Sequence, residues 1–253
     1  MAGMSERAGT WSDVEVAGHT CAVFEPARPS EHRYTVVYLH GSDVGPLANL
    51  AEFTRELDRY GLRVIQPYTG PSWWTGRIWP PFDAAISAET YVLERVVPYV
   101  AERWGAAPPR LALLGMSMGG QAALRIAYEH PNQFPTVAAI APAVDFHQKY
   151  ARGIDPVLEE LYRDEEDARQ DTALLYIHPL NWPRNQLFVC DPTDPWHESA
   201  DRLRMKLSSL GVPFTCDLET EAGGHSLRYA RRMAEPVVRF LAERLEGERL
   251  RLV

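Results

Sequence analysis

From residue 34 onward, short apolar runs alternate with segments of helical spacing, and that order leaves few folds open. Tyr34 to His40 reads YTVVYLH, a β-branched and apolar run closed by Gly41. Such a run fits a strand buried on both faces. In residues 47–60, Leu47, Leu50, Phe53, Leu57 and Tyr60 fall on one side of a helix, and Gly61 supplies its C-cap. Further strands are expected over 62–66, 110–114, 136–140, 186–190 and 213–218. Helices are expected over 84–104, 118–129, 197–210 and 226–246, with Pro98 kinking or dividing the first of these. This alternation demands a mostly parallel central sheet with helices on both faces and right-handed crossovers. Residues 14–24 add one or two antiparallel edge strands. The charged stretch 143–185 is an excursion between two strands, a solvated helix face or a small cap. The chain therefore reads as one α/β domain over 1–253.

Composition narrows the function classes. A net charge of −8 gives no basic footprint for a phosphate backbone, which argues against nucleic-acid binding. Cys21, Cys190 and Cys216 are odd in number and lack CxxC spacing. They fit buried thiols in a reducing compartment better than a zinc site or a disulfide framework. Residues 1–12 hold no apolar signal-peptide core, and no apolar run approaches the ~20 residues of a membrane helix. The expectation is a cytoplasmic protein with no membrane partner and no cofactor or metal. A homo-oligomer is left open.

The most informative pentapeptide is Gly115-Met116-Ser117-Met118-Gly119, a G-x-S-x-G after an expected strand and before an expected helix. A sharp turn there strains the serine backbone and pushes Oγ outward. Side chains two positions away on either side would collide, so glycine fits both places. The following helix aims free N–H groups at the site, and the N–H of Met118 can bind an oxyanion.

A serine hydroxyl needs a base, and the base needs an orienting acid. Hydrolases with this elbow keep the order Ser, then Asp or Glu, then His. His225 lies in EAGGHS, after the last strand and before the last helix, where two glycines allow close approach. His130 reads as a cap at a helix end, His197 as a helix opener, and His147 and His178 belong to the excursion. For the acid, the loop after strand 186–190 reads DPTDPW and offers Asp191 and Asp194. Asp194 is favoured because it lies further into the loop and precedes a stiffening proline. Asp191 is the alternative, and Asp145 a third. The second oxyanion N–H is expected from Ser42, in the loop that begins His40-Gly41-Ser42. His40 reads as a structural residue that fixes this loop.

Four stretches carry a family resemblance: LHGS at 39–42, GMSMGGQAAL at 115–124, DPTDP at 191–195 and GGHS at 223–226. On these, the chain resembles the α/β-hydrolase superfamily. Within it, the chain is similar to the esterase D-like group of S-formylglutathione hydrolases, feruloyl and acetyl esterases and mycolyltransferases. The resemblance spans nearly everything from residue 34. It implies Ser117 as nucleophile, His225 as general base and acid, Asp194 as its partner, and a small-molecule ester or thioester as substrate. No stretch marks a glutathione site, so ester and thioester both stay open. An acyltransferase built on the same triad is a further reading, and a non-catalytic binding protein on a hydrolase scaffold is the reading from a different class.

Trp73, Trp74 and Trp196 fall in loops near strand ends and are the expected substrate-binding residues. Indoles stack on sugars and aromatic acyl groups, but they also fill cores. Arg77 is expected in a surface ion pair.

Overall fold

The computed structural model describes residues 8–42 and 45–251. Eight strands form one sheet: β1 (Thr10–Val16), β2 (His19–Glu25), β3 (Thr35–Leu39), β4 (Arg63–Pro67), β5 (Leu111–Met116), β6 (Thr136–Ile140), β7 (Asn185–Val189) and β8 (Thr215–Asp217). Their order is β1-β2-β4-β3-β5-β6-β7-β8. β1 pairs antiparallel with β2, and β2 with β4, while every later pairing is parallel. The expected mostly parallel sheet with antiparallel edge strands is therefore present. Every residue of β3, β5 and β6 is buried, as continuous apolar runs require when helices cover both faces.

The register aligns the strand ends. Leu39 pairs with Gly115, Met116 with Ile140, Ile140 with Val189, and Val189 with Asp217. The loops after five successive strands thus open on one rim. The chain steps from β3 to β4 on one side and returns to β5 on the other. Ligand sites of open α/β sheets form at such a switch point.

Helix α1 (Ala51–Arg59) follows a single 3-10 turn at Leu47–Asn49, so the expected helix 47–60 is split in two. The expected helix 84–104 starts later. Ser87 caps α2 (Ala88–Tyr91), its Oγ accepting the Thr90 N–H at 3.1 Å. A π turn at Val92–Val96 then leads into α3 (Val97–Trp104), with Pro98 in its first turn. Proline lacks the N–H that would bond back one turn, and a wider turn ahead of it accommodates that loss. The remaining core helices are α4 (Met118–Glu129), α9 (His197–Leu210) and α10 (Leu227–Arg251). Among the described residues, no helix is long and apolar enough to cross a membrane. Cys21 and Cys190 are buried thiols, while Cys216 is partly exposed.

The excursion folds into four short helices, α5 (His147–Ala151), α6 (Pro156–Leu161), α7 (Glu165–Gln170) and α8 (Ala173–Tyr176). A buried polar cluster fastens it to α4. The side chain of Gln121 donates to Asp171 O at 3.2 Å and accepts the Ala173 N–H at 3.0 Å. Arg125 reaches Asp171 at 2.7 Å and Glu89 at 2.8 Å. Tyr162 and Tyr176 donate their hydroxyls to the same Asp171 carboxylate. Arg77 pairs with Asp167 at 3.0 Å and lies over the Tyr162 ring, so its expected ion pair also clips the excursion down.

This cluster holds more carboxylates than cations. Burial, then a hydrogen bond with Glu89, pushes the Glu129 carboxyl up from 4.5 to about 7. A carboxyl raised in the folded state stabilises the fold below its unfolded value and loses that contribution as pH rises through its folded value. Between pH 5 and pH 8 the wild-type chain should therefore lose about 1–3 kcal/mol that Glu129→Gln does not lose. Urea unfolding of both proteins at the two pH values checks this, and equal losses would refute it.

Candidate active site

Ser117 joins β5 to α4 with φ 55° and ψ −117°, a backbone conformation a serine rarely adopts. Its main chain is pinned on both sides. The Ser117 N–H donates to Ile140 O at 2.9 Å, and its carbonyl accepts the Ala143 N–H at 3.1 Å. The flanking glycines allow this turn. A Cβ on Gly115 would lie 1.9 Å from Gly119 O, and one on Gly119 would lie 2.0 Å from Leu39 O. Both contacts are with backbone, which cannot step aside. The elbow thus presses α4 against the end of β3, next to the loop that carries Ser42.

His225 reaches this elbow from the loop between β8 and α10. Its Nε2 lies 2.9 Å from Ser117 Oγ, and its Nδ1 lies 2.8 Å from Asp194 Oδ2. An imidazole nitrogen that faces a carboxylate acceptor carries the proton. Nε2 is then left with its lone pair toward the serine hydroxyl. The Asp194 side chain is wholly buried, and its other oxygen accepts the Trp196 N–H at 2.7 Å. The structure brings together the serine, histidine and aspartate expected from sequence.

Asp191 has a different place. Its carboxylate accepts the Thr193 N–H at 2.8 Å, the Thr193 hydroxyl at 2.7 Å and the Ala222 N–H at 2.5 Å. Burial pushes this carboxyl up, but those bonds and one from the Gly224 N–H outweigh it and hold the group well below the usual carboxylate range. Asp191 ties the acid loop to the histidine loop. Gly224 lets them meet: its φ is +65°, and a Cβ there would lie 3.2 Å from Thr193 Oγ1. Asp145, the third candidate, bonds Arg202 instead. His197 opens α9, and His130 closes α4, as expected. Asp191 and Asp194, both offered by the sequence, thus sit in different hydrogen-bonded settings, and the tie made by Asp191 has no sequence signal beyond its nearness to Asp194.

The loop after β3 is held by His40. Its Nε2 accepts the Thr69 N–H at 3.2 Å, so Nδ1 carries the proton and donates to Gly41 O at 3.0 Å. Burial lowers the pKa of this imidazole and keeps it neutral in that role. Ser42, Ser117 and His225 line a small cleft of about 110 Å³ together with Leu227 and Tyr229. Met118 supplies the first N–H of α4, which by helix geometry has no intrahelical acceptor.

The three expected substrate-binding tryptophans do not act as a set. Trp74 has no exposed surface, and its indole N–H donates to His40 O at 3.0 Å. It fixes the Ser42 loop from within, so the expectation that it lines a pocket is corrected. Trp73 is 3% exposed, its ring lies tilted at 5.0 Å from that of Phe146, and its indole N–H donates to Asp155 at 3.1 Å. Trp196 is half-buried beside the acid loop. Both Trp73 and Trp74 have φ 54°, and this pair of left-handed residues turns the loop so that the rings enter the core.

The family model described as "Putative esterase" matches residues 19–209. Among solved structures, an S-formylglutathione hydrolase from Agrobacterium tumefaciens has TM-score 0.76 at 20% identity, covering 94% of each chain. A fluorophosphonate-binding serine hydrolase of Staphylococcus aureus has TM-score 0.73 at 16% identity, over 93% of this chain and 99% of that one. A ferulic acid esterase has TM-score 0.71 at 15% identity, over 94% and 99%. No curated protein matches the chain by sequence. A family match over residues 19–209, on a sheet with the order and elbow described above, makes the chain a member of the Esterase family with the α/β-hydrolase fold.

Proposed function

We propose that this esterase hydrolyses small-molecule carboxylic esters through a covalent acyl-enzyme on Ser117. The observation that carries the reading is the unbroken hydrogen-bonded path from Ser117 Oγ through His225 to Asp194, at 2.9 Å and 2.8 Å. In the first half-reaction His225 Nε2 takes the hydroxyl proton as Oγ bonds to the acyl carbon. Asp194 holds Nδ1–H and stabilises the imidazolium that forms. The N–H groups of Met118 and Ser42 meet the oxyanion, each worth about 3 kcal/mol of transition-state stabilisation. The tetrahedral adduct then collapses. The alcohol leaves with the proton from His225, and the acyl group remains on Oγ. In the second half-reaction His225 deprotonates water, which attacks the acyl carbon, and the acid departs as Oγ regains its proton.

The narrow cleft beside Ser117 favours small or flat acyl groups over long chains. A panel of p-nitrophenyl esters of rising chain length, acetylated sugars, feruloyl esters and S-formylglutathione tests the reading. Turnover of the short oxygen esters is expected. Turnover of S-formylglutathione alone would replace it with a thioesterase reading. No turnover of any member would refute it.

A further inference from the structure

Lys149 lies between two loops that flank the proposed nucleophile. It stands in α5, and its ammonium is 5.7 Å from the ring centre of Trp73 and 5.5 Å from that of Trp196. Trp73 belongs to the loop after β4 and Trp196 to the loop after β7. In the sheet, β3, β5 and β6 lie between those two strands. A cation within reach of both rings therefore spans the C-terminal ends of the strands that carry Ser42, Ser117 and the turn after Ile140. Two further contacts tie this bridge to the site. Trp196 donates its backbone N–H to Asp194, and Phe146, whose ring centre lies 5.0 Å from that of Trp73, lies three residues after Ala143, whose N–H donates to Ser117 O.

Lys149 differs from most of the half-buried cations of the chain. Only two of its 26 Lys and Arg residues are lysines. The arginines that reach inward are matched: Arg125 with Glu89 and Asp171, Arg184 with Glu248, and Arg202 with Asp145. No carboxylate among the described residues comes within ion-pair distance of Lys149, and none of its N–H groups has a protein acceptor there. Two indoles stabilise a cation through their ring faces but accept none of its hydrogen bonds. A compact ammonium keeps three strong donors that call for an acceptor. In a protein of net charge −8, a half-buried cation without a protein acceptor, set between loops on the same rim of the sheet as Ser117, favours an anion.

We propose that Lys149, held between Trp73 and Trp196, is a specificity-determining residue that binds a carboxylate carried by the ester substrate. The inference rests on the esterase reading of Ser117 and names the substrate class of that same site: esters with a free carboxylate in the acyl or the alcohol part. Two matched pairs of substrates tell these sources apart. Mono-p-nitrophenyl adipate against p-nitrophenyl hexanoate places the anion in the acyl group. The acetate ester of 4-hydroxybenzoic acid against phenyl acetate places it in the leaving group.

The readout is the ratio of kcat/KM, anionic over neutral, within each pair. The neutral member normalises for folding and for the chemistry at Ser117. In at least one pair the wild-type ratio should fall about tenfold in Lys149→Met, and Lys149→Arg should keep most of it. High salt should shrink the wild-type ratio as the charges are screened. If Lys149 merely clips the two loops together, Lys149→Met lowers both members alike and leaves the ratio unchanged, which overturns the inference. So does a wild-type enzyme that hydrolyses the neutral esters but gains nothing from the anion in either pair. A wild-type enzyme that hydrolyses none of the four overturns the esterase reading beneath it.

Discussion

Ser117→Ala is expected to lower kcat/KM for a short p-nitrophenyl ester about 10⁵- to 10⁶-fold while leaving the fold intact. The size follows from the hydrogen-bonded path. Without Oγ there is no atom to form the acyl bond, and His225 is left facing a methyl group. Members of a triad act as a unit, so loss of the nucleophile alone removes nearly all that the three supply together. What survives is the oxyanion site and substrate positioning, on the order of 10³- to 10⁴-fold over water. Alanine fits the space of the serine, and the turn is held by main-chain bonds to Ile140 and Ala143 that the change does not touch. The circular dichroism spectrum and melting temperature should therefore stay close to wild type. A variant that keeps more than a small fraction of the activity would contradict the account.

The second large effect separates two neighbouring aspartates. Asp194→Asn should reduce kcat about 10⁴-fold, because an amide that donates toward Nδ1 drives the proton to Nε2 and removes the lone pair that faces Ser117. Stability should change little by comparison. Asp191→Asn should show the opposite profile. The Asp194–His225 contact does not involve Asp191, so activity should fall far less. The charged acceptor of the Thr193 and Ala222 donors is lost, however, which costs about 2–3 kcal/mol of stability. The two profiles, read by steady-state kinetics and urea unfolding, would refute the assignment if they were exchanged.

Most of the fold was legible from residue 34 onward for a physical reason. Strands buried on both faces read as continuous apolar runs, and β3, β5 and β6 are of that kind. The elbow was legible because two backbone collisions leave glycine little alternative at 115 and 119. The order of chemistry-bearing residues carried the resemblance to the superfamily, SMGG and the small-residue helix after it carried the resemblance to esterase D-like hydrolases, and the family match over 19–209 bears it out.

Other features were not legible. Periodicity places a helix over 84–104, but it does not show that Pro98 widens the turn ahead of it. The acidic run of the excursion reads as a solvated face. Its actual anchor is Asp171, whose partners Gln121 and Arg125 lie about fifty residues earlier in the chain. The tryptophans show the limit most clearly. Sequence puts Trp73 and Trp74 in a loop beside the site, but the direction of a ring depends on φ, and two successive left-handed residues turn these inward. Trp196, on the opposite loop, stays half-exposed.

Covalent labelling tests the central claim most directly. The protein is treated with a fluorophosphonate, the modified peptide is identified by mass spectrometry, and activity is followed on the same samples. The account predicts one adduct per chain, on Ser117, forming in step with the loss of ester hydrolysis and absent from Ser117→Ala. Hydrolysis that persists after Ser117 is fully modified, or inactivation that tracks an adduct on another residue, would contradict it.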